Sequence, residues 1–154
     1  MFMSDWERFC KGGAPSGVLP LAIGTAIIGD HLDMKYNMPG PVHTAGWLVI
    51  TAYSAITAAG NGTLTFALVS DAQIPIATDG SATEHIECDP VATSTTPIPA
   101  GTMLACVRIP DGEYERYAGL MLTTAGAALT EGEANAFLTD EPSYWRALPA
   151  ANGG

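Results

Sequence analysis

The sequence predicts an all-β fold with a single domain, a jelly-roll-like β-sandwich flanked by irregular N- and C-terminal arms. Short apolar segments are separated by Gly, Pro, Asn and Asp, and they show almost none of the 3.6-residue period of an amphipathic helix. The clearest segment alternates with a period of two, which is typical of a half-buried strand. One of its faces carries Leu64, Phe66 and Leu68, and the other carries Thr63, Thr65 and Ala67.

The chain begins with an expected N-terminal arm over residues 1–16. It contains at most a short helical turn around Trp6 and Phe9, because two glycines and a proline follow. The β-sandwich domain is predicted over 17–140, and a C-terminal tail over 141–154. We expect no second domain and find no internal repeat.

The first half of the domain contains four predicted strands. Residues 18–28 are rich in β-branched side chains, and the two prolines that follow predict a loop over 30–41. Residues 47–53 carry bulky side chains on both faces, which favours a central strand of a sandwich. Residues 63–70 follow a Gly-rich turn, and 83–88 form a shorter candidate.

The second half begins with a loop over 89–101, which is rich in Pro, Ser and Thr. Strands are predicted over 103–109, 117–124 and 133–139. The Pro110-Asp111-Gly112 sequence predicts a turn after the first of them.

The composition excludes several classes of partner. The net charge is −10 with only six Lys and Arg residues, so the surface repels phosphate backbones and anionic membranes. Residues 36–70 contain no charged side chain, yet Pro and Gly interrupt them and no run reaches about 18 apolar residues, so we expect no membrane span. The first residues lack a basic stretch followed by an apolar one, and we expect no signal peptide. An acidic surface of this kind suits a basic protein partner, or a solvated outer face on an assembly that must not aggregate.

The three cysteines are widely spaced and lack a C-x-x-C pattern. This argues against a disulfide framework and favours a reducing compartment. Cys88 and Cys106 are interpreted as small buried apolar residues.

Two acidic segments could carry chemistry. In the segment Glu84–Cys88, His85 and Glu87 would share one strand face. They could bind a metal together with His31 or His43. A solvated strand edge is the favoured interpretation of this segment. Asp111, Glu113 and Glu115 could form a pair of catalytic carboxylates or a calcium site, but acids are common in such turns. No nucleophile or phosphate-binding motif is present. We therefore predict no enzymatic activity, no cofactor and no metal.

Aromatic side chains raise the question of a binding surface. Trp47 and Tyr53 lie in a predicted strand and are assigned to the core. Tyr144 and Trp145 lie beside Arg146 after the last strand, where they could anchor a partner or cap the open end of the sandwich.

Four segments, taken in order, resemble one known family. They are Leu64–Asp71, Pro97–Gly101, Arg116–Thr124 and Gly132–Thr139, and together the similarity extends over residues 45–140. They are similar to the Bbp16-type capsid cement (decoration) proteins of tailed bacteriophages. The sequence departs from the family pattern at Ala118, and residues 1–44 match it poorly.

The resemblance implies a jelly-roll-like structural protein without enzymatic activity, present in many copies on the virion. We expect it to bind the outer surface of the expanded phage head and to staple neighbouring subunits of the major capsid protein. It would be made in the host cytoplasm and act as a homo-oligomer, either a dimer or a trimer. The expected contact regions are 1–16, 30–43 and 141–154. The expected contact residues are Trp6, Phe9, Tyr36, Tyr144, Trp145 and Arg146.

Two other functions remain open from the sequence. One is a carbohydrate-binding β-sandwich module that presents Tyr144 and Trp145 to a glycan. The other is a small cupin-like metalloenzyme that uses His85.

Overall fold

Antiparallel β-strands make up nearly all of the regular structure in a computed structural model that describes residues 8–33, 47–109 and 115–139. The described strands are β1 (Arg8–Cys10), β2 (Gly24–Asp33), β3 (Trp47–Ala52), β4 (Thr57–Ala58), β5 (Gly62–Asp71), β6 (Thr83–Glu87), β7 (Val91–Thr93), β8 (Met103–Arg108), β9 (Tyr117–Ala125), β10 (Leu129–Glu131) and β11 (Ala134–Thr139). A single 3₁₀ turn occurs within these ranges, at Pro15–Gly17.

The strands form two larger sheets and one small one. The first sheet has the order β1-β11-β3-β8, and the second has the order β2-β9-β5-β6, with β7 also paired to β5. The small sheet joins β10 to β4. The prediction of an all-β sandwich is confirmed, and the jelly-roll connectivity stays a prediction.

The main core lies between the two larger sheets. Leu64, Phe66 and Leu68 of β5 are buried there, as the alternation predicts, together with Leu120 and Leu122 of β9. The facing sheet contributes the side chains Phe9, Leu48, Ile50, Ala134, Ala136 and Leu138. Burial of a large apolar side chain contributes about 1.5–3 kcal/mol to stability, so this layer is the main source of stability for the sandwich.

A second, smaller cluster covers the outer face of the five-stranded sheet. It contains Ala67 and Val69 of β5 and Ile76 from the connection between β5 and β6. Gly119 of β9 permits this packing, because a Cβ atom there would lie 2.6 Å from the Ile76 Cδ1. The connection between β5 and β6 is therefore held against the sheet.

Strand β3 is central, between β11 and β8, as its two bulky faces predict. Its Val49 and the opposing Phe137 are buried on the face that points away from the main core. The core assignment of Tyr53 is wrong, because this side chain is 49% exposed and its ring lies against Gly12. Trp47 is half-buried.

The N-terminal region differs from the prediction. Residues 8–10 lie within the expected arm, yet they form β1 and pair with β11. A three-residue strand is stabilised by its partner, and so it leaves no local pattern in the sequence. Strand β2 also starts later than predicted and continues to Asp33 through a bulge that contains Gly29.

The short strands β4, β7 and β10 were absent from the sequence prediction, and β7 lies inside the predicted loop 89–101. The expected turn at 110–112, the tail at 141–154 and most of the loop 30–41 lie outside the described residues. Within the described ranges, no helix has the length and apolar character needed to cross a bilayer.

Candidate functional site

One of the six residues expected to contact a partner falls within the described ranges. Phe9 is 0% exposed and lies in the main core, because β1 pairs with β11 and directs this ring between the sheets. Since a fully buried ring offers no surface to a partner, Phe9 is removed from the expected contacts. The other five lie outside the described residues, and they are Trp6, Tyr36, Tyr144, Trp145 and Arg146.

The most connected polar side chains of the described chain surround Ser70, near the end of β5. The register of β5 and β6 pairs Leu68 with Ile86 and Val69 with Glu84, so His85 is one extra residue in β6. A β-bulge of this kind re-aims a side chain. Here the imidazole Nε2 of His85 lies 2.7 Å from the Ser70 Oγ.

Glu115 completes this group from the segment just before β9. Its backbone N–H donates to the Ser70 Oγ over 3.0 Å, and its carboxylate Oε1 accepts the hydroxyl hydrogen of Thr83 over 2.6 Å. We call Ser70, Thr83, His85 and Glu115 the Ser70 cluster. It ties the ends of β5 and β6 to the start of β9.

Burial of the His85 side chain affects the protonation of its imidazole. Desolvation lowers the pKa of His85, and the nearby Glu115 carboxylate opposes this with a smaller effect. The imidazole is therefore neutral at pH 7. In the tautomer with its proton on Nδ1, the Nε2 atom accepts the Ser70 hydroxyl hydrogen while the Ser70 oxygen accepts the N–H of Glu115.

A serine beside a histidine and a glutamate invites comparison with a nucleophilic triad. Nucleophilic catalysis requires the serine oxygen to be accessible to a substrate and to attack its carbonyl carbon. Ser70 is 0% exposed, and its oxygen already accepts a backbone N–H. The geometry therefore supports a structural role in which the cluster fastens three strand ends.

The metal site considered from the sequence requires His85 and Glu87 on one face. Glu87 pairs with Ala67, which points to the outer face, whereas the bulge turns His85 toward Ser70 on the inner face. Among the described residues, no three His, Cys, Asp or Glu side chains are grouped in a way that could hold a metal ion. Of the acidic turn, Glu115 belongs to the Ser70 cluster, while Asp111 and Glu113 lie outside the described ranges.

Two of the three thiols are deeply buried. Burial, with a smaller contribution from Asp30, raises the pKa of Cys10 to about 12. Burial, with contributions from Asp89 and then Glu87, raises the pKa of Cys88 to about 11. Cys88 is buried as the sequence predicts, whereas Cys106 is half-buried. All three are free.

Exposed apolar side chains mark one end of the sandwich. Val18, Leu21 and Ile23 are each about half exposed, in the segment that leads into β2. The strand predicted over 18–28 includes all three residues, but in the structure β2 begins at Gly24 and Val18 forms only an isolated bridge to Glu133. Large exposed apolar residues in one segment are typical of contact surfaces.

Two features of the site escaped the sequence analysis. The partnership of Ser70 and His85 depends on a one-residue bulge, which has no marker in the sequence. The packing of residues 74–78 beside β2 depends on tertiary contacts. The surface formed by Val18, Leu21 and Ile23 was detectable in the sequence, because these residues precede Gly24 without alternating with polar residues.

A comparison with protein families supplies independent information on this chain. The family model described as Bbp16 matches residues 21–138, which include β2 to β10 and all but the last residue of β11. The match begins before residue 45, so the expectation that residues 1–44 match this family poorly is wrong for residues 21–44. No curated protein sequence matches the chain.

Proposed function

The chain belongs to the Bbp16 family, and we propose that it is a capsid cement protein of a tailed bacteriophage. It would bind the outer surface of the expanded head and staple neighbouring subunits of the major capsid protein. The observation that carries this proposal is the family match over residues 21–138, because the sequence resemblance to Bbp16-type proteins implies a cement role.

The positions of the resembling segments support this proposal. Leu64–Asp71 lies in β5, Arg116–Thr124 spans most of β9, and Gly132–Thr139 includes β11. These strands are internal to the two larger sheets. The similarity therefore includes inner strands of both larger sheets, and the fourth resembling segment, Pro97–Gly101, lies between β7 and β8.

The charge of the surface also supports a protein partner. Glu84, Glu87 and Asp89 are exposed on and after β6, at one edge of the five-stranded sheet. Exposed acids prevent sheet edges from pairing with one another. They also attract a basic surface, which agrees with the net charge of −10.

Stabilisation of a head follows from mass action. A protein that binds the expanded lattice more tightly than the unexpanded one shifts the equilibrium toward the expanded state. Many weak contacts repeated over the shell add through multivalency, so a single copy needs only modest affinity. Homo-oligomers on the symmetry axes of the shell would increase this effect. We also propose the jelly-roll connectivity that the resemblance implies.

Co-sedimentation tests the proposal directly. The purified protein is mixed with phage heads stripped of it, with expanded and unexpanded heads in parallel. We expect saturable binding to expanded heads, with a copy number that matches the lattice symmetry. Absence of binding to either form would contradict the proposal, and binding to immobilised glycans would then favour a carbohydrate-binding module.

A further inference from the structure

Strand β2 forms one edge of the five-stranded sheet. It pairs with β9 on one side, and no described strand pairs with its other side. Its N-terminal half, from Gly24 to Ile28, precedes the bulge at which Gly29 meets the backbone of Phe9. The backbone N–H and C=O groups along this half can therefore bind an additional strand.

An open groove of about 530 Å³ runs beside this half of β2. Thr25, Ala26 and Ile27 all line it. Thr25 and Ile27 are alternate residues of β2 and share the outer face of the sheet with Ile76, so the groove lies over this face, directly beside the strand edge. Ile23, which is 57% exposed, extends the apolar surface just before β2.

The opposite wall of the groove is the segment 74–78. Ile74 is half exposed there, whereas Ile76 is packed in the outer cluster. The Asp71 Oδ2 accepts the N–H of Ala77 over 3.0 Å and so holds this wall in place. This wall is mainly apolar, so it can contact the apolar side chains of an added strand.

Two exposed acidic residues are adjacent in sequence to residues that line the groove. Asp30 is exposed between two lining residues, and Asp79 is exposed directly after the lining Thr78. The lining itself includes no Asp, Glu, Lys or Arg. His31 lines the groove and its ring contacts Tyr117, and the Arg116 guanidinium lies 4.9 Å from the centre of the Tyr117 ring.

We propose that this groove, the β2 edge groove, binds an extended basic segment of a partner protein as an added β-strand. Alternate apolar side chains of that segment would enter between β2 and residues 74–78, and its lysines or arginines would face Asp30 and Asp79. The inference rests on the proposed function for the identity of the partner, which is then the major capsid protein.

A second copy of the chain fits this groove poorly. Each copy carries a net charge of −10, which opposes the approach of a second copy to the exposed Asp30 and Asp79 beside the groove. A small molecule would favour an enclosed pocket with converging polar groups, whereas the groove is open along a strand edge. Main-chain hydrogen bonds supply affinity in strand addition, and side-chain pockets supply specificity.

Lysine substitutions at exposed threonines test the groove without disturbing the core. Thr25→Lys and Thr78→Lys each place a positive charge on one wall, and Thr95→Lys places the same charge on an exposed residue that does not line the groove. We expect the first two variants to bind expanded heads about tenfold more weakly and the third to bind like the unmodified protein. Thermal unfolding of all four proteins checks that the fold is retained.

A peptide titration tests the groove independently of phage heads. The isotope-labelled protein is titrated with a ten-residue peptide of alternating valine and lysine, and with a matched peptide of valine and glutamate. We expect NMR shift changes at residues 25–28 and 74–78 with the lysine peptide, and none with the glutamate peptide.

The outcomes separate the two proposals. If both groove variants bind the heads as well as the unmodified protein does, the groove proposal is overturned. The cement function then stays in place. If the unmodified protein does not bind the heads but still binds the lysine peptide at the groove, only the cement function is overturned. A lysine peptide that causes no shift changes along β2 would overturn the groove in either case.

Discussion

The Ser70 Oγ lies 2.7 Å from the His85 Nε2 and joins β5 to β6 where an extra residue interrupts their ladder. The same oxygen accepts the N–H of Glu115. One buried hydroxyl thus connects three segments that are distant in sequence. Its hydrogen bonds therefore add side-chain links beside the bulge.

Stability is expected to fall as the pH is lowered below about 6.5, the ordinary pKa of histidine. Burial lowers the pKa of His85 in the folded state, so the unfolded chain binds the proton first. The contribution of His85 is therefore fully present above pH 6.5 and is lost as the pH falls toward the lowered pKa. Urea unfolding between pH 8 and pH 5.5 measures this change.

The variant His85→Gln is the control for this pH dependence. Glutamine can accept the Ser70 hydroxyl hydrogen but does not titrate in this range. We expect its urea midpoint to vary less with pH than that of the unmodified protein. Identical pH profiles for the two proteins would show that His85 is not the responsible group.

Replacement of Ser70 by alanine is expected to lower the free energy of unfolding by about 1–3 kcal/mol, because the Glu115 N–H loses its buried acceptor. Thr95→Ala, at an exposed position, is expected to change it by less than about 0.5 kcal/mol. Chemical denaturation of both variants measures the difference. Equal effects would contradict a structural role for the Ser70 cluster.

Alanine substitutions at two glycines with positive φ distinguish the cost of backbone strain from the cost of steric contact. Gly80 has φ of +95° and open space around it, so Gly80→Ala is expected to cost only the left-handed strain of about 1–2 kcal/mol. Gly29 has φ of +68°, and a Cβ there would lie 2.1 Å from the carbonyl oxygen of Phe9. We expect Gly29→Ala to cost about 1–3 kcal/mol more. Similar unfolding free energies would mean that β1 moves away from the bulge at little cost.

The cysteines are expected to react with a thiol reagent at very different rates. Burial raises the pKa of Cys10 to about 12 and that of Cys88 to about 11, so neither forms a thiolate readily at pH 8. Cys106 is half-buried and should be labelled first. Mass spectrometry of the native protein should detect one rapid modification, and denaturation should expose all three. Rapid labelling of Cys10 would contradict its burial between the sheets.

Strands with a strong alternating pattern were predictable from the sequence. Leu64, Phe66 and Leu68 occupy the core as expected, and β3 is central because both of its faces are apolar. Strand β1 was not predictable, because three residues carry no period and gain their structure from pairing with β11. The extension of β2 to Asp33 depends on the bulge at Gly29, which the sequence shows only as a glycine.

The candidate sites were less predictable than the fold. His85 was identified as a chemically interesting residue, but its partner Ser70 was not, because period-two reasoning places His85 beside Glu87. The β2 edge groove requires the register of β2 and the position of residues 74–78, and neither follows from local pattern. The prediction for Phe9 is wrong in the opposite direction. Its position near a chain end suggests a surface contact, yet the side chain is fully buried.

The position of β11 between β1 and β3 has a consequence for synthesis of the protein. Arg8 pairs with Phe137, so the first and last described strands must meet before this sheet is complete. Such high contact order slows folding and prevents the nascent chain from closing its core during translation. Until β11 emerges, the apolar strand β3 has an open edge that can pair with other chains. Chains truncated before residue 134 are therefore expected to aggregate and not to persist as smaller folded domains.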